Sequence, residues 1–254
     1  MPTVTDIYNV LDKLAPFSAQ ETWDNSGILV GCESDSVKKI MLTLDITSET
    51  AYEAHEIGAD LVISHHPVIF SPLKNLSSDN PAVILAKNNI SAVCMHTNFD
   101  VANGGMNDIL CRKLGLVPNK NEVLNDNENI GRICTLDEPS DISAIAESVK
   151  KALGCTVLRY TNTGKPVSKI GICSGAGAGY YNDAVQKNCQ LLITGDVKHH
   201  DFIDAMNAGI SIIDAGHFYT ENIFYDSVKD FLLSRISDIE IVISQKNIDI
   251  VNVI

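Results

Sequence analysis

The amino-acid sequence predicts an α/β protein made of two similar three-layer α/β/α lobes with mixed sheets, related by an internal duplication. Short apolar runs alternate with segments of helical pattern, which is typical of α/β folds. The order of strand, helix and strand in KIMLTLDITSETAYEAHEIGADLVISHHP recurs in KIGICSGAGAGYYNDAVQKNCQLLITGDVKHHD. The interval from Ile40 to Ile63 is 23 residues and that from Ile170 to Ile193 is also 23, an offset of 130 between halves. The alternative is that any two βαβ units look alike.

The elements of the first half follow from apolar patterning and from the residues that begin helices. Ser48 stands at or near the start of one predicted helix, where a hydroxyl side chain can accept a backbone N–H. Pro81 stands in the first turn of another, where its missing N–H costs nothing. The predicted elements are, in order, strand 40–44, helix 48–57, strand 61–64, helix 81–88 and strand 91–95.

The two lobes are expected to meet near Asn125. The segment NKNEVLNDNEN at 119–129 is polar and rich in Asn, as connecting segments are. We therefore predict a first lobe at 1–125 and a second at 126–254, with a C-terminal strand that is a candidate to return to the first lobe.

Composition narrows the classes of function. The formal net charge is −13, which argues against nucleic-acid binding because phosphate backbones are bound by dense Lys and Arg patches. No run approaches the roughly 20 apolar residues that span a bilayer, and the start of the chain has no secretory pattern, so we expect a cytoplasmic protein without a membrane partner. The seven cysteines have no CxxC spacing, and all are expected to be buried, reduced thiols.

Three groups of candidate metal ligands follow short apolar runs. They are His65 with His66, His96 with Asp100, and His217 with Glu221. Imidazole and carboxylate are ligands of zinc, iron and manganese, and sites in open α/β sheets form beyond the carboxyl ends of strands. A histidine and an acid four residues apart share one face of a helix. Adjacent histidines diverge, which suits two neighbouring ions better than one.

Ordinary structural roles remain open for each of these residues. A single histidine near a strand end is more often a core or surface residue than a ligand. The recurrence of the H-x-x-x-acid pattern in both halves, HTNFD and HFYTE, favours the metal-binding interpretation.

The chain resembles the family of GTP cyclohydrolase 1 type 2 homologues, also called the Nif-three-like family, in its short form without an inserted domain. The resemblance rests on five motifs spread over nearly the whole chain: TWDNSGILVG, LVISHHPVIF, HTNFDVANGGMNDIL, LLITGDVKHH and DAGHFYTE. It implies a pair of divalent metal ions per chain, with His65, His66, His96, Asp100, His217 and Glu221 as ligands. It also implies a homo-oligomer in the form of a toroidal hexamer.

The function that we expect is metal-assisted hydrolysis, in which two ions activate a water molecule against a nucleotide ring, as in GTP cyclohydrolase chemistry. A phosphoesterase and a metal-binding scaffold or regulatory protein without turnover remain alternatives. Asp196 and His199 are the candidate catalytic residues beyond the ligands, although His199 is equally compatible with a surface role. The glycine-rich SGAGAG segment either cradles a phosphate or allows close packing, and the second is favoured because it lacks the Lys-Ser/Thr of a P-loop.

Overall fold

The computed structural model describes residues 1–253 and shows a mixed α/β protein with two five-stranded sheets, which confirms the predicted fold class. Both sheets are mixed, as predicted. The strands are β1 (Gly27–Val30), β2 (Lys39–Thr43), β3 (Leu61–Ser64), β4 (Ser91–Cys94), β5 (Arg132–Ser140), β6 (Arg159–Tyr160), β7 (Val167–Ile172), β8 (Leu191–Thr194), β9 (Ser211–Asp214) and β10 (Glu240–Ile243). The α-helices are α1 (Val4–Leu14), α2 (Ser48–Glu56), α3 (Pro81–Lys87), α4 (Thr97–Val101), α5 (Met106–Lys113), α6 (Ile142–Leu153), α7 (Tyr181–Gln186), α8 (His199–Ala208), α9 (His217–Glu221) and α10 (Tyr225–Leu233).

The contacts divide the chain into two compact units that differ from the expected division at residue 125. The first unit comprises Met1–Asn103 with Tyr225–Ile250, and the second comprises Gly104–Phe224 with Val251–Ile254. The physical reason is that α5 packs against β5 and β7 of the second sheet, so the chain joins the second unit before the Asn-rich segment begins.

The first unit holds a sheet in the order β1-β4-β3-β2-β10. Strands β10, β2, β3 and β4 are parallel, and β1 is an antiparallel edge. Strand β10 pairs with β2 from Glu240↔Lys39 to Ile243↔Leu42, so the end of the chain supplies a strand to the unit that its beginning forms. Every residue of β3 and β4 is buried, as expected for parallel strands covered on both faces.

The helices of the first unit begin where side chains satisfy their exposed N–H groups. Thr3 and Asp6 form a capping box at the start of α1. Helix α2 begins at Ser48, but Thr47 rather than Ser48 is its N-cap, and the Thr47 hydroxyl accepts from the Thr50 N–H. Asn80 caps α3, with Pro81 in its first turn as predicted.

The second unit repeats the arrangement of the first except at one edge, where β5 is antiparallel to β7 and the corresponding β10 is parallel to β2. Its sheet has the order β5-β7-β8-β9-β6, with β7, β8 and β9 parallel. The antiparallel edge strand β6 beside β9 takes the place that β1 has beside β4. Strands β2 and β3 pair at Ile40↔Leu61, and β7 and β8 pair at Ile170↔Leu191, so the offset of 130 residues is also an offset in register.

Two further features bear on the composition-based predictions. No helix in the described part of the chain is both long and apolar enough to span a membrane. All seven cysteines are free, and six are buried as predicted, but Cys32 is exposed because it lies in the turn that follows β1.

Candidate metal centre

The candidate ligands of the first unit follow the carboxyl ends of β3 and β4. These strands are neighbours in parallel register, with Ser64 paired to Cys94, so the residues just beyond them emerge side by side. One ring nitrogen from each of His65, His66 and His96 lies within 4.8 Å of the other two. The ring centroids are 5.1–5.7 Å apart. The fold therefore brings together three of the predicted ligands, and the adjacent His65 and His66 lie close together instead of diverging as expected, because both follow the end of β3.

The orientation of these three imidazoles is set by acceptors on their Nδ1 atoms. His65 Nδ1 lies 2.8 Å from the Met95 carbonyl oxygen. His66 Nδ1 lies 2.8 Å from Asp45 Oδ1, and His96 Nδ1 lies 2.8 Å from Asp24 Oδ1. Carbonyl and carboxylate oxygens only accept, so each Nδ1 is the donor, which leaves Nε2 as the ring nitrogen that can bind a metal ion.

Asp24 holds the largest hydrogen-bond network in this group. It accepts from His96, from the Thr97 N–H at 3.1 Å and from the Ser26 hydroxyl at 2.9 Å, and its side chain is fully buried. Burial would raise the pKa of this carboxyl, but the hydrogen bonds from His96 and Thr97 outweigh it and hold the pKa well below its usual range. Asp24 is therefore ionised at neutral pH, and it orients His96.

Asp100 lies beside His65. It belongs to the short helix α4, is buried, and places Oδ1 3.6 Å from His65 Nε2. Its backbone N–H donates to the His96 carbonyl, which makes the H-x-x-x-acid pattern one turn of helix. The fourth predicted ligand of this unit thus lies with the other three.

Cys94 is close to this group without contributing a thiolate to it. Its Sγ donates to the His65 carbonyl at 2.9 Å. Burial raises the pKa of the Cys94 thiol well above its usual value, so the sulfur stays protonated. The donor set of this unit consists of nitrogen and oxygen atoms, which suits zinc, iron and manganese alike.

The second unit carries the same pattern beyond β8 and β9. His217 begins α9 and Glu221 ends it, and His217 Nε2 lies 2.9 Å from Glu221 Oε2. His217 Nδ1 lies 2.7 Å from Asp196 Oδ2, so a carboxylate orients this imidazole as well. Asp196 follows β8 in the left-handed region at φ 52°, which turns its side chain back toward α9.

Glycines allow the backbone of the second unit to approach the ligands. A Cβ on Gly175 would lie 2.3 Å from Glu221 Oε1 and 3.2 Å from His217 Nε2. A Cβ on Gly195 would lie 2.6 Å from the His217 backbone nitrogen. Gly177 is confined in the same way by Cys173 and Thr194. These distances favour the close-packing interpretation of SGAGAG over a phosphate cradle.

The orienting roles of Asp24 and Asp45 were not predicted from the sequence. Asp24 lies within the TWDNSGILVG motif, and Asp45 directly follows the predicted strand 40–44, so a signal was present for both. Asp196 was predicted as a catalytic acid or base, and the structure shows it hydrogen-bonded to His217. His199 is exposed in the first turn of α8, and its predicted role stays a prediction.

The structure defines a class of protein: a duplicated α/β protein with histidine and carboxylate groups, beyond the parallel strands, that can hold a metal ion. The chain belongs to the Duf34/NIF3 (NGG1p interacting factor 3) family, whose model matches residues 2–249.

Individual relatives cover nearly the whole chain. It is 34% identical to the GTP cyclohydrolase 1 type 2 homolog of Clostridium perfringens, over 96% of each chain. It is 36% identical to the GTP cyclohydrolase 1 type 2 of Helicobacter pylori strain J99, over 92% of this chain and 93% of that one. A hypothetical protein from Staphylococcus aureus has a similar crystal structure, with a TM-score of 0.89, 27% identity and 99% coverage of both chains.

Proposed function

We propose that this protein is a metal-dependent hydrolase of the GTP cyclohydrolase type that uses two divalent metal ions, zinc, iron or manganese. The observation that carries the proposal is the convergence of His65, His66 and His96 with their ring nitrogens within 4.8 Å of one another. The proposed ligands are the six side chains His65, His66, His96, Asp100, His217 and Glu221. The names of the C. perfringens and H. pylori relatives support the choice of GTP as the first substrate to test.

The donor chemistry fits such ions. Four imidazoles each have Nδ1 held by an oxygen acceptor, which is the arrangement that prepares Nε2 for coordination. Bound divalent ions would supply Lewis-acid chemistry, lowering the pKa of a water molecule and polarising the group that it attacks. Closed structural zinc sites often use cysteine, whereas this donor set has none, which favours an open, catalytic type of coordination.

The protein's own residues prepare this chemistry in three ways. Asp24, Asp45 and the Met95 carbonyl hold the imidazoles of the first unit in one tautomer and one orientation. Asp196 does the same for His217, so we assign it a positioning role in preference to proton transfer. His199 is retained as the candidate acid or base, and its imidazole is exposed in the first turn of α8.

Metal analysis of the purified protein is the first test. We expect two divalent ions per chain, and GTP consumption when the effective metal is restored to chelator-treated protein. Asp24→Asn should weaken metal affinity about 10–100-fold, because His96 loses its charged acceptor. Asp60→Asn is the matched control, since Asp60 accepts two backbone N–H groups in the same unit without contacting a histidine.

Three outcomes would contradict the proposal in whole or in part. A protein that binds no divalent ion with micromolar or better affinity is not a metal-dependent hydrolase. A protein that binds two ions but turns over neither nucleotides nor phosphoesters with any of the three metals is the metal-binding scaffold of the alternative interpretation. Hydrolysis of phosphoesters alone would replace the cyclohydrolase assignment by the phosphoesterase one.

Self-association, in the form of a toroidal hexamer, and a cytoplasmic location stay predictions from the sequence. Mass measurement in solution by light scattering tests the first: a mass six times that of the 27.6 kDa chain supports the hexamer, and a monomer excludes it.

A further inference from the structure

We propose that Trp23 and Phe70 form a binding site for a planar heteroaromatic ring beside the metal ligands of the first unit. The two side chains are 60% and 51% exposed although both are large and aromatic. Their ring centroids are 6.1 Å apart at an interplanar angle of 61°. Exposed aromatic pairs of this kind next to a polar site are typical of ligand-binding surfaces.

His96 ties this aromatic pair to the candidate metal centre. Its imidazole centroid lies 6.3 Å from that of Trp23 and 6.2 Å from that of Phe70, and both contacts are edge-to-face. Each of the three rings therefore contacts the other two. A ligand lying on the aromatic pair also lies next to His96. An aromatic ring is the ligand that gains most there, because π-faces attract ring edges and stack on other rings.

The backbone around these rings is held in place by the residues next to Trp23. Asp24 orients His96, as described above. Asn25 Nδ2 donates to the Ile69 carbonyl at 2.6 Å and so fixes the segment that carries Phe70. The tripeptide Trp23-Asp24-Asn25 thus positions a metal ligand, one aromatic ring and the loop that bears the other, which is the construction expected of a preorganised site.

This inference rests on the proposed function, because it names the part of the substrate that the site beside the metal ions would recognise. A purine fits: it is flat, aromatic and rich in ring nitrogens, and base-to-aromatic stacking tolerates any base. The inference specifies recognition through the ring and assigns no contact to a phosphate group.

Trp23 is the only tryptophan, so its fluorescence reports this site alone. We expect guanosine, which has no phosphate, to quench it saturably when excitation is at the red edge of the tryptophan band, where guanosine does not absorb. Ribose 5-phosphate should not quench it. Phe70→Leu keeps an apolar side chain but removes the π-face, and should weaken guanosine binding about tenfold.

Control variants separate the site from general packing. Tyr52→Leu removes another half-exposed aromatic ring of the same unit and should leave guanosine affinity unchanged. Trp23→Phe should retain most of the calorimetrically measured affinity and Trp23→Leu should lose it.

Each failure has its own signature. Metal binding by a wild-type protein whose Trp23 fluorescence does not respond to guanosine, or an unchanged affinity in Phe70→Leu, overturns the ring site and leaves the proposed function standing. Saturable quenching of Trp23 by guanosine in a protein that binds no metal would support the ring site and overturn the proposed function. If the Phe70→Leu variant forms a smaller assembly in solution than wild type, the aromatic pair is covered by a second copy of the chain. That result would also overturn the ring site.

Discussion

Each of the four histidines among the candidate ligands uses one ring nitrogen for a protein acceptor. The acceptors are three carboxylates and one backbone carbonyl, all within 2.8 Å of Nδ1. Repetition of this contact in both units is harder to explain by chance than any single histidine near a strand end. It is also a feature of individual atoms, which no pattern of residue types displays.

The candidate ligands could be predicted from the sequence more fully than the residues that orient them. The histidines and acids stand at fixed distances after apolar runs, and that spacing is visible in one dimension. Asp24 reaches His96 across 72 positions of the chain, so no local pattern connects them. The repeat singled out Asp196 as a candidate catalytic residue, but its position relative to His217 depends on a left-handed backbone conformation that the residue type alone does not specify.

Gly175→Ala tests whether the close approach of the backbone shapes the site. The new Cβ would lie 2.3 Å from Glu221 Oε1, so Glu221 must move. We expect metal affinity to fall at least tenfold, and the free energy of unfolding to fall by about 1–2 kcal/mol because Gly175 has φ +61°.

Gly164→Ala is the control for backbone strain in that experiment. Gly164 has φ +75°, and a Cβ added there would have no neighbour within 4 Å. The variant should lose similar stability and keep its metal affinity, as judged by denaturant unfolding and competition with a chromophoric chelator. Equal metal affinity in the two alanine variants would mean that Gly175 is needed only for its backbone conformation and not for the position of Glu221.

At the scale of elements, the bounds of the strands were predicted more accurately than the elements against which they pack. Strand 61–64 matches β3, strand 40–44 is shifted by one residue from β2, and the other three predicted elements of the first half are one residue too long at their C-terminal end. The reason is that buried parallel strands are short, continuous apolar runs bounded by polar residues. The place of α5 could not be predicted in this way, because its apolar pattern does not specify the sheet against which it packs, and that choice depends on tertiary packing.

The ion pair between α5 and β5 provides a prediction about pH. Arg132 is buried and donates to Asp108 through Nε at 2.8 Å and a terminal nitrogen at 3.1 Å. Burial would raise the pKa of Asp108, but the hydrogen bonds from Arg132 and the Gly104 N–H outweigh it and lower the pKa below its ordinary value of 3.8. The lowered pKa means that the ionised carboxylate stabilises the folded state.

The direction of the pH dependence follows from that lowered pKa. The stabilisation is complete above the unfolded pKa of about 4 and is lost as the pH falls through the folded pKa. In Asp108→Asn, the buried Arg132 loses its bidentate contact with a charged carboxylate, and the free energy of unfolding at neutral pH should fall by about 3–5 kcal/mol. Urea unfolding at several pH values should show the wild-type advantage shrinking below pH 4. An advantage independent of pH would mean that the pair contributes through packing alone.

At the scale of the whole molecule, the two units differ in how the chain builds them. All strands from β5 to β9 lie within residues 104–224, so the second sheet comes from one continuous segment. The first sheet needs both ends of the chain, because β10 pairs with β2 and α10 packs against α1. The sequence suggested such a return of the last strand, but the position of β10 beside β2 depends on a pairing across about 200 residues.

This difference predicts that the units do not fold equally well when separated. A fragment of residues 104–224 retains its whole sheet and should unfold cooperatively in urea. A fragment of residues 1–103 leaves β2 as an unpaired edge, and it loses the buried Val228 and Leu232 of α10. We expect it to be aggregated or unfolded by circular dichroism, and to gain structure when residues 225–254 are supplied as a second chain. Cooperative unfolding of 1–103 alone would show that β10 and α10 are added to a sheet that is already stable without them. It would also show that the two halves of the duplication remain independent folding units.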